Sequence, residues 1–194
     1  MSTGTAAIIA ASPVTATGGV LSAPIGSTAP TDAVTDLDAA FVKRGFVDQA
    51  GVTKSVDASD EKIRAWGGHV VKVVRSEHSV SYTLTFLESM SASVLKLIYG
   101  DENVIVTPPT ADTNGTVEIR DKGEMTARQA FAFDMKDGKA RLREFIPDGQ
   151  LTVSGDVTFV HSAVISYSVT IEAFPDEDGV KSYSFMDDGE KLAA

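Results

Sequence analysis

Between Ser79 and Glu88 the chain reads SVSYTLTFLE, in which Val80, Tyr82, Leu84 and Phe86 alternate with Ser79, Ser81, Thr83 and Thr85. Strand side chains point alternately to opposite faces, so this period of two predicts a strand with one buried face. The valine-rich run from His69 to Arg75 is predicted as its partner, with SEHS as a tight connection between them. The same alternation returns in VISYSVTIEAF, where Ile165, Tyr167, Val169, Ile171 and Ala173 share one face. Asp137-Gly138 sits in the middle of ARQAFAFDMKDGKARLREFIP and predicts a hairpin. Val104–Val106, TVEIRD and the segment after FPDEDG predict further short strands.

One segment breaks this period. In SMSASVLKLIYG, Met90, Val94, Leu97 and Ile98 fall at i, i+4, i+7 and i+8, which is one face of a helix. The serines ahead of it suit an N-cap and Gly100 suits the position after its end. The pattern therefore predicts a helix over about 91–99, packed through Met90, Val94, Leu97 and Ile98. The sum is a mostly-β domain: two packed β-sheets, as a sandwich or barrel, flanked by one α-helix.

Composition divides the chain of 194 residues into three. Residues 1–36 are rich in Ala, Ser, Thr, Gly and Pro, and predict a flexible, extended N-terminal arm. Residues 37–186 form the β-domain, and 187–194 a polar C-terminal tail. No Lys or Arg precedes Lys43, so the opening stretch lacks the basic start of a signal peptide. Without secretion the Asn114-Gly115-Thr116 sequon carries no meaning, and synthesis in the cytoplasm is expected.

Chemistry is sparse. There is no cysteine, which removes disulfides, thiolate metal sites and cysteine nucleophiles together. His69, His78 and His161 form no metal-ligand spacing, and no P-loop, G-x-S-x-G or dinucleotide fingerprint occurs. DEDG at 176–179 and DDG at 187–189 read as acidic turns rather than calcium loops. No catalytic residue, cofactor or metal is expected. With 27 acidic against 17 basic residues the net charge is −10, a poor surface for holding DNA, whose binding relies on Lys and Arg displacing counterions. A β-domain with an arm and no chemistry points to assembly through edges and arms.

The order of several short signatures carries a resemblance. Pro30-Thr31-Asp32 precedes LDAAF, the GFVDQAGVT turn follows, a charged run leads into Ala65-Trp66, and paired strands lead into Glu88 and the VLKLIYG helix. Over roughly residues 20–180 this resembles the major tail tube protein of long-tailed bacteriophages, particularly those of actinobacterial hosts. Gly67-Gly68 departs from the pattern, standing where relatives often carry a larger polar residue.

The resemblance implies a structural virion protein whose hexameric rings stack into a tube, through which phage DNA passes without specific binding. It also implies contacts with a tape measure protein, a tail terminator and baseplate or distal tail proteins, and no role at a membrane. The alternative is a non-catalytic binding or decoration module of a virion. Phe41, Phe46, Lys62, Arg64 and Trp66 are the candidate subunit-interface residues. Trp66, the single tryptophan, stays open between two readings: an indole in the core, or an anchor at the base of a long loop over about 48–68 that reaches a neighbouring ring. The inner wall of such a tube is expected to be net acidic or neutral, with the basic residues, Arg128, Arg141 and Arg143 among them, mainly pairing with acidic groups or facing elsewhere.

Overall fold

Eleven strands and one α-helix make up residues 8–190, the part of the chain that the computed structural model describes. The strands are β1 (Ser12–Pro13), β2 (Val20–Pro24), β3 (Val42–Lys43), β4 (Thr53–Arg64), β5 (Val70–Phe86), β6 (Val104–Thr107), β7 (Thr116–Ile119), β8 (Gln129–Asp137), β9 (Ala140–Val153), β10 (Tyr167–Phe174) and β11 (Tyr183–Asp187). Helix α1 (Ala92–Tyr99) lies between β5 and β6. Nine strands form one antiparallel sheet in the order β3-β2-β8-β9-β10-β5-β4, with β1 added to β8 and β11 to β9; β6 and β7 form a separate ribbon. The mostly-β fold with one helix is as expected, and its two layers come from the long sheet folding over on itself. Tyr82 on β5 and Phe133 on β8 belong to strands that are not neighbours, yet their rings lie 5.2 Å apart.

The main core fills the space inside that fold. Val80, Tyr82, Leu84 and Phe86 meet Tyr167, Val169, Ile171 and Ala173 from β10, and Phe131, Phe133, Ile146 and Leu151 from β8 and β9. These are the residues that the period of two put on one face. The register sets them side by side, with Val169 opposite both Leu84 and Val153. Gly149 is required here, because a Cβ at that position would stand 2.8 Å from the Phe131 ring. Helix α1 closes one end of this core through Val94, Leu95, Leu97 and Ile98. The Asp137-Gly138 hairpin forms as predicted, with Gly138 at φ 56 opening a two-residue loop between Asp137 and Ala140.

Several expectations are corrected. Met90 is 81% exposed, because the helix begins only after Ser91, and Leu95 takes its place on the buried face. SEHS is no turn: β5 runs unbroken from Val70 to Phe86 through residues 76–79. Its partner over most of that length is β4, so much of the expected loop over 48–68 is strand. The segment 1–36 is not an arm throughout. Val20–Pro24 is an inner strand between β3 and β8, with Val20, Leu21, Ser22 and Ala23 all buried. A run of small residues can pass through a two-layered protein where both faces are crowded, and polarity alone does not show that. The first seven residues of the expected arm and the last four of the expected tail lie outside the described residues.

A second, smaller core lies on the opposite face of β2, β8 and β9. Leu21, Ala23, Phe41, Ala130, Ala132 and Phe145 form it, with Leu37, Ala40, Tyr183 and Phe185 packed against them. The chain over 32–41 is held across this face by Arg143, which is 4% exposed. Its guanidinium forms a two-pronged pair with Asp134 (2.5 and 3.0 Å) and donates to the Asp32 and Thr35 carbonyls (3.0 and 2.8 Å). Asp32 in turn accepts from Thr35 Oγ1 and from the backbone of Thr35 and Val34, which hold its carboxyl below the usual range. Arg44 ties β2 to the start of the helix, donating to Ser22 Oγ and the Ser93 carbonyl, both at 2.9 Å. Arg128 pairs with Asp148 at 3.0 Å, as expected. Arg141 is not so paired at one end: its Nη1 is buried without a hydrogen-bond partner.

Candidate assembly surface

The β4–β5 hairpin leaves the body of the protein. β10 pairs with β5 only from Phe86 back to Ser81, and beyond that row β5 continues with β4 as its partner. From His78 to Val70, beside the turn at Trp66, β5 runs roughly 26 Å at about 3.3 Å per residue. Two register shifts, at Ser59/Asp60 and Ile63/Arg64, mark irregular pairing along it. Such shifts strengthen local twist and blunt an open edge. At its root the hairpin is anchored by Lys54, whose ammonium lies 2.9 Å from Glu144 on β9. Burial works to lower the pKa of Lys54, but hydrogen bonds to Glu144 and Tyr82 outweigh it and the net shift is upward. Tyr82 Oη donates to the same carboxylate at 2.9 Å, and Lys181 donates to the His78 carbonyl.

The turn explains the glycine pair. Ala65 N donates to the His69 carbonyl (2.8 Å) and Gly68 N to the Ala65 carbonyl (2.9 Å). Gly67 and Gly68 have φ values of 108° and 86°, which side chains resist and glycine accepts. Trp66 therefore sits at the corner, with Arg64 donating across the turn to the Gly68 carbonyl at 2.8 Å. The indole is 106% exposed, which rules out a place in the core of the subunit. Val70, Val71, Val73, Val74, Val56 and Ile63 are also exposed along the hairpin. Between Lys62 and Arg75 the chain carries Lys62, Arg64, Lys72 and Arg75 and no carboxylate, in a protein of net charge −10.

The candidate interface residues thus separate. Lys62, Arg64 and Trp66 come together at the hairpin tip. Phe46 is exposed, but far along the chain from the tip, where its backbone accepts from Leu87 and donates to Glu88. Phe41 is corrected: it is 8% exposed and packs edge-on against Phe145, with ring centroids 6.3 Å apart. The valines of 70–74 were missed as surface residues. Their β-branched character predicts a strand, and a strand without a covering layer has the same local sequence signature.

A cavity of about 830 Å³ is lined by Ile25, Pro30, Phe145, Pro147, Tyr183 and Phe185 with Asp148 and Asp176 at its polar side. Asp176 orders a turn there, accepting from the Asp178 and Val180 amides and from Tyr183 Oη at 2.6 Å. These bonds, that from Tyr183 foremost, lower the carboxyl pKa, and the same contact pushes the Tyr183 phenol up to about 12. The DEDG segment is thus an acidic turn. Among the described residues no group of three or more His, Cys, Asp or Glu side chains is placed to hold a metal ion.

The hairpin tip thus presents apolar and cationic side chains on a two-stranded projection. No helix among the described residues is long and apolar enough to cross a membrane. No match was found among curated proteins. Residues 5–193 match the profile of the family described as phage tail tube protein, and the chain belongs to that family.

Proposed function

We propose that this chain is a repeating, non-catalytic subunit of a phage tail tube, assembling as hexameric rings that stack around a channel for DNA. The observation that supports this reading most is the projecting β4–β5 hairpin. Two strands alone are marginal in water, and large exposed apolar patches mark sites of association. A fully exposed indole among six exposed aliphatic side chains is stabilised only when another molecule covers it. Membership of a family of tail tube proteins makes further copies of the chain the natural cover. Tape measure, terminator and distal tail proteins would meet the tube at its lumen and two ends.

The charge balance fits passage of DNA rather than its retention. A channel rich in unpaired Lys and Arg would hold the duplex by counterion release, and a net acidic or neutral wall would let it slide. Purified protein examined by electron microscopy across a range of concentrations should show rings or long tubes. Discrete monomers or trimers at every concentration would instead fit a decoration module and defeat the proposal.

A further inference from the structure

A second surface, at the other end of the subunit, carries the charge opposite to that of the hairpin tip and an apolar cavity. The row Val153–Val169–Leu84 lies at the end of β5 remote from the turn, and Leu84 to Val70 is roughly 45 Å along the strand. At that remote end a cavity of about 290 Å³ is lined by Ile98, Tyr99, Leu151 and Val153, with Asp121, Glu124 and Met125 in the loop over it. The chain from Asp101 to Glu124, which includes the β6–β7 ribbon beside this cavity, carries six carboxylates against two basic side chains. Met125, Ile105 and Ile119 are exposed around it. Here the acidic and apolar character of the tip's counterpart is found on the same polypeptide.

Asn103 supplies an independent sign. Its Nδ2 donates to the Tyr99 carbonyl at 2.9 Å, but Oδ1 is buried without a partner, at a residue 9% exposed that lines the cavity. An orphaned buried acceptor is costly, and an indole carries one N–H donor and no acceptor.

We propose, resting on the tube-subunit reading, that the hairpin tip of one copy docks on the Asp101–Thr126 end of the next, seating Trp66 in the cavity between α1, the end of β9 and the 121–126 loop. Lys62 and Arg64 face Asp121 and Glu124 in this contact. The loop, which belongs to no helix or strand, shifts to let the indole N–H reach Asn103 Oδ1. The occupant is a second copy because the chain carries both halves of the contact, at opposite ends. A contact between unlike surfaces at opposite ends propagates without closing on a pair, as a stack requires. The larger cavity beside Pro147 and Tyr183 lacks this property. It lies past the end of β10 where Phe174 pairs with Asp148, the end from which the hairpin itself departs.

The absence of cysteine makes the contact directly readable. Ala65→Cys and Met125→Cys place single thiols beside the indole and beside the cavity, both at exposed positions. Tubes grown from a mixture of the two variants and treated with a short bismaleimide should yield covalent dimers at least tenfold above either variant alone. The double variant should give a ladder of multimers. Tubes that form but do not cross-link in the mixture, or that link Ala65→Cys to itself, would overturn the docking while leaving the tube reading intact. Absence of tubes from the parent chain would overturn both.

Charge reversal reads the same contact without cysteines. Arg64→Glu should raise the concentration needed for assembly about tenfold, and adding Glu124→Arg should restore it. Equal assembly by all three chains would overturn the proposal.

Discussion

Strand β5 spans two regions of unlike character. From Val80 to Phe86 every second side chain is buried against β10, β8 and the helix, and from Val70 to His78 none is. The backbone is one continuous strand, paired with β4 from Val70 to Thr83, but its other edge bonds to β10 only from Ser81 to Phe86. The projecting half therefore lacks both a second strand partner and a covering layer. The buried half derives its stability from the subunit's own core, whereas the projecting half exposes valines that only an outside surface can cover. Strand regularity and burial are thus separate properties, and the first can extend well beyond the second.

The sharpest break of this contrast comes from removing a support of the body. Arg143→Ala leaves Asp134 without its buried partner and releases the Asp32 and Thr35 carbonyls, so it should cost about 3–5 kcal/mol of folding stability. Denaturant unfolding measures it, and a midpoint equal to the parent's would show that the segment over the second core needs no such anchor. Leu97→Ala, on the buried face of α1, should cost about 2–5 kcal/mol by the same assay. An unchanged melting temperature would mean that the helix does not close the core.

Trp66→Ala tests the other half and should do the reverse. Folding stability stays within about 0.5 kcal/mol, as for most exposed positions, while assembly weakens by at least about 2 kcal/mol, or roughly thirtyfold, as for an aromatic anchor. Sedimentation at several concentrations alongside thermal melts separates the two. A variant that melts early yet assembles normally would place the indole's role inside the subunit.

The smallest effect is electrostatic. The hydrogen bond to Asp176 holds the Tyr183 pKa at about 12, above its ordinary value near 10, so its contribution is fully present below pH 10 and fades as pH rises through about 12. Phenolate absorbance should show Tyr183 titrating near 12 in the parent and nearer 10 in Asp176→Asn. Identical curves would show that the contact does not form in solution.

Alternation in 80–86 and 167–173 made the core strands legible, because a half-buried strand imposes its period on the sequence directly. The Asp137-Gly138 hairpin, the helix after Glu88 and the acidic turn at 176–179 were readable for similar reasons: each is decided by residues a few positions apart. The order of short signatures was enough to point to the family. What lay beyond local pattern was decided by partners distant in the chain. Phe41 is core because Phe145 lies under it, and Val20–Ala23 is an inner strand because β8 lies alongside. The valines of 70–74 are exposed because the pairing of β10 with β5 stops at Ser81. Trp66 stood open for the same reason. The chemistry of an indole favours burial, but only the unsupported hairpin shows that the subunit's own core does not provide it.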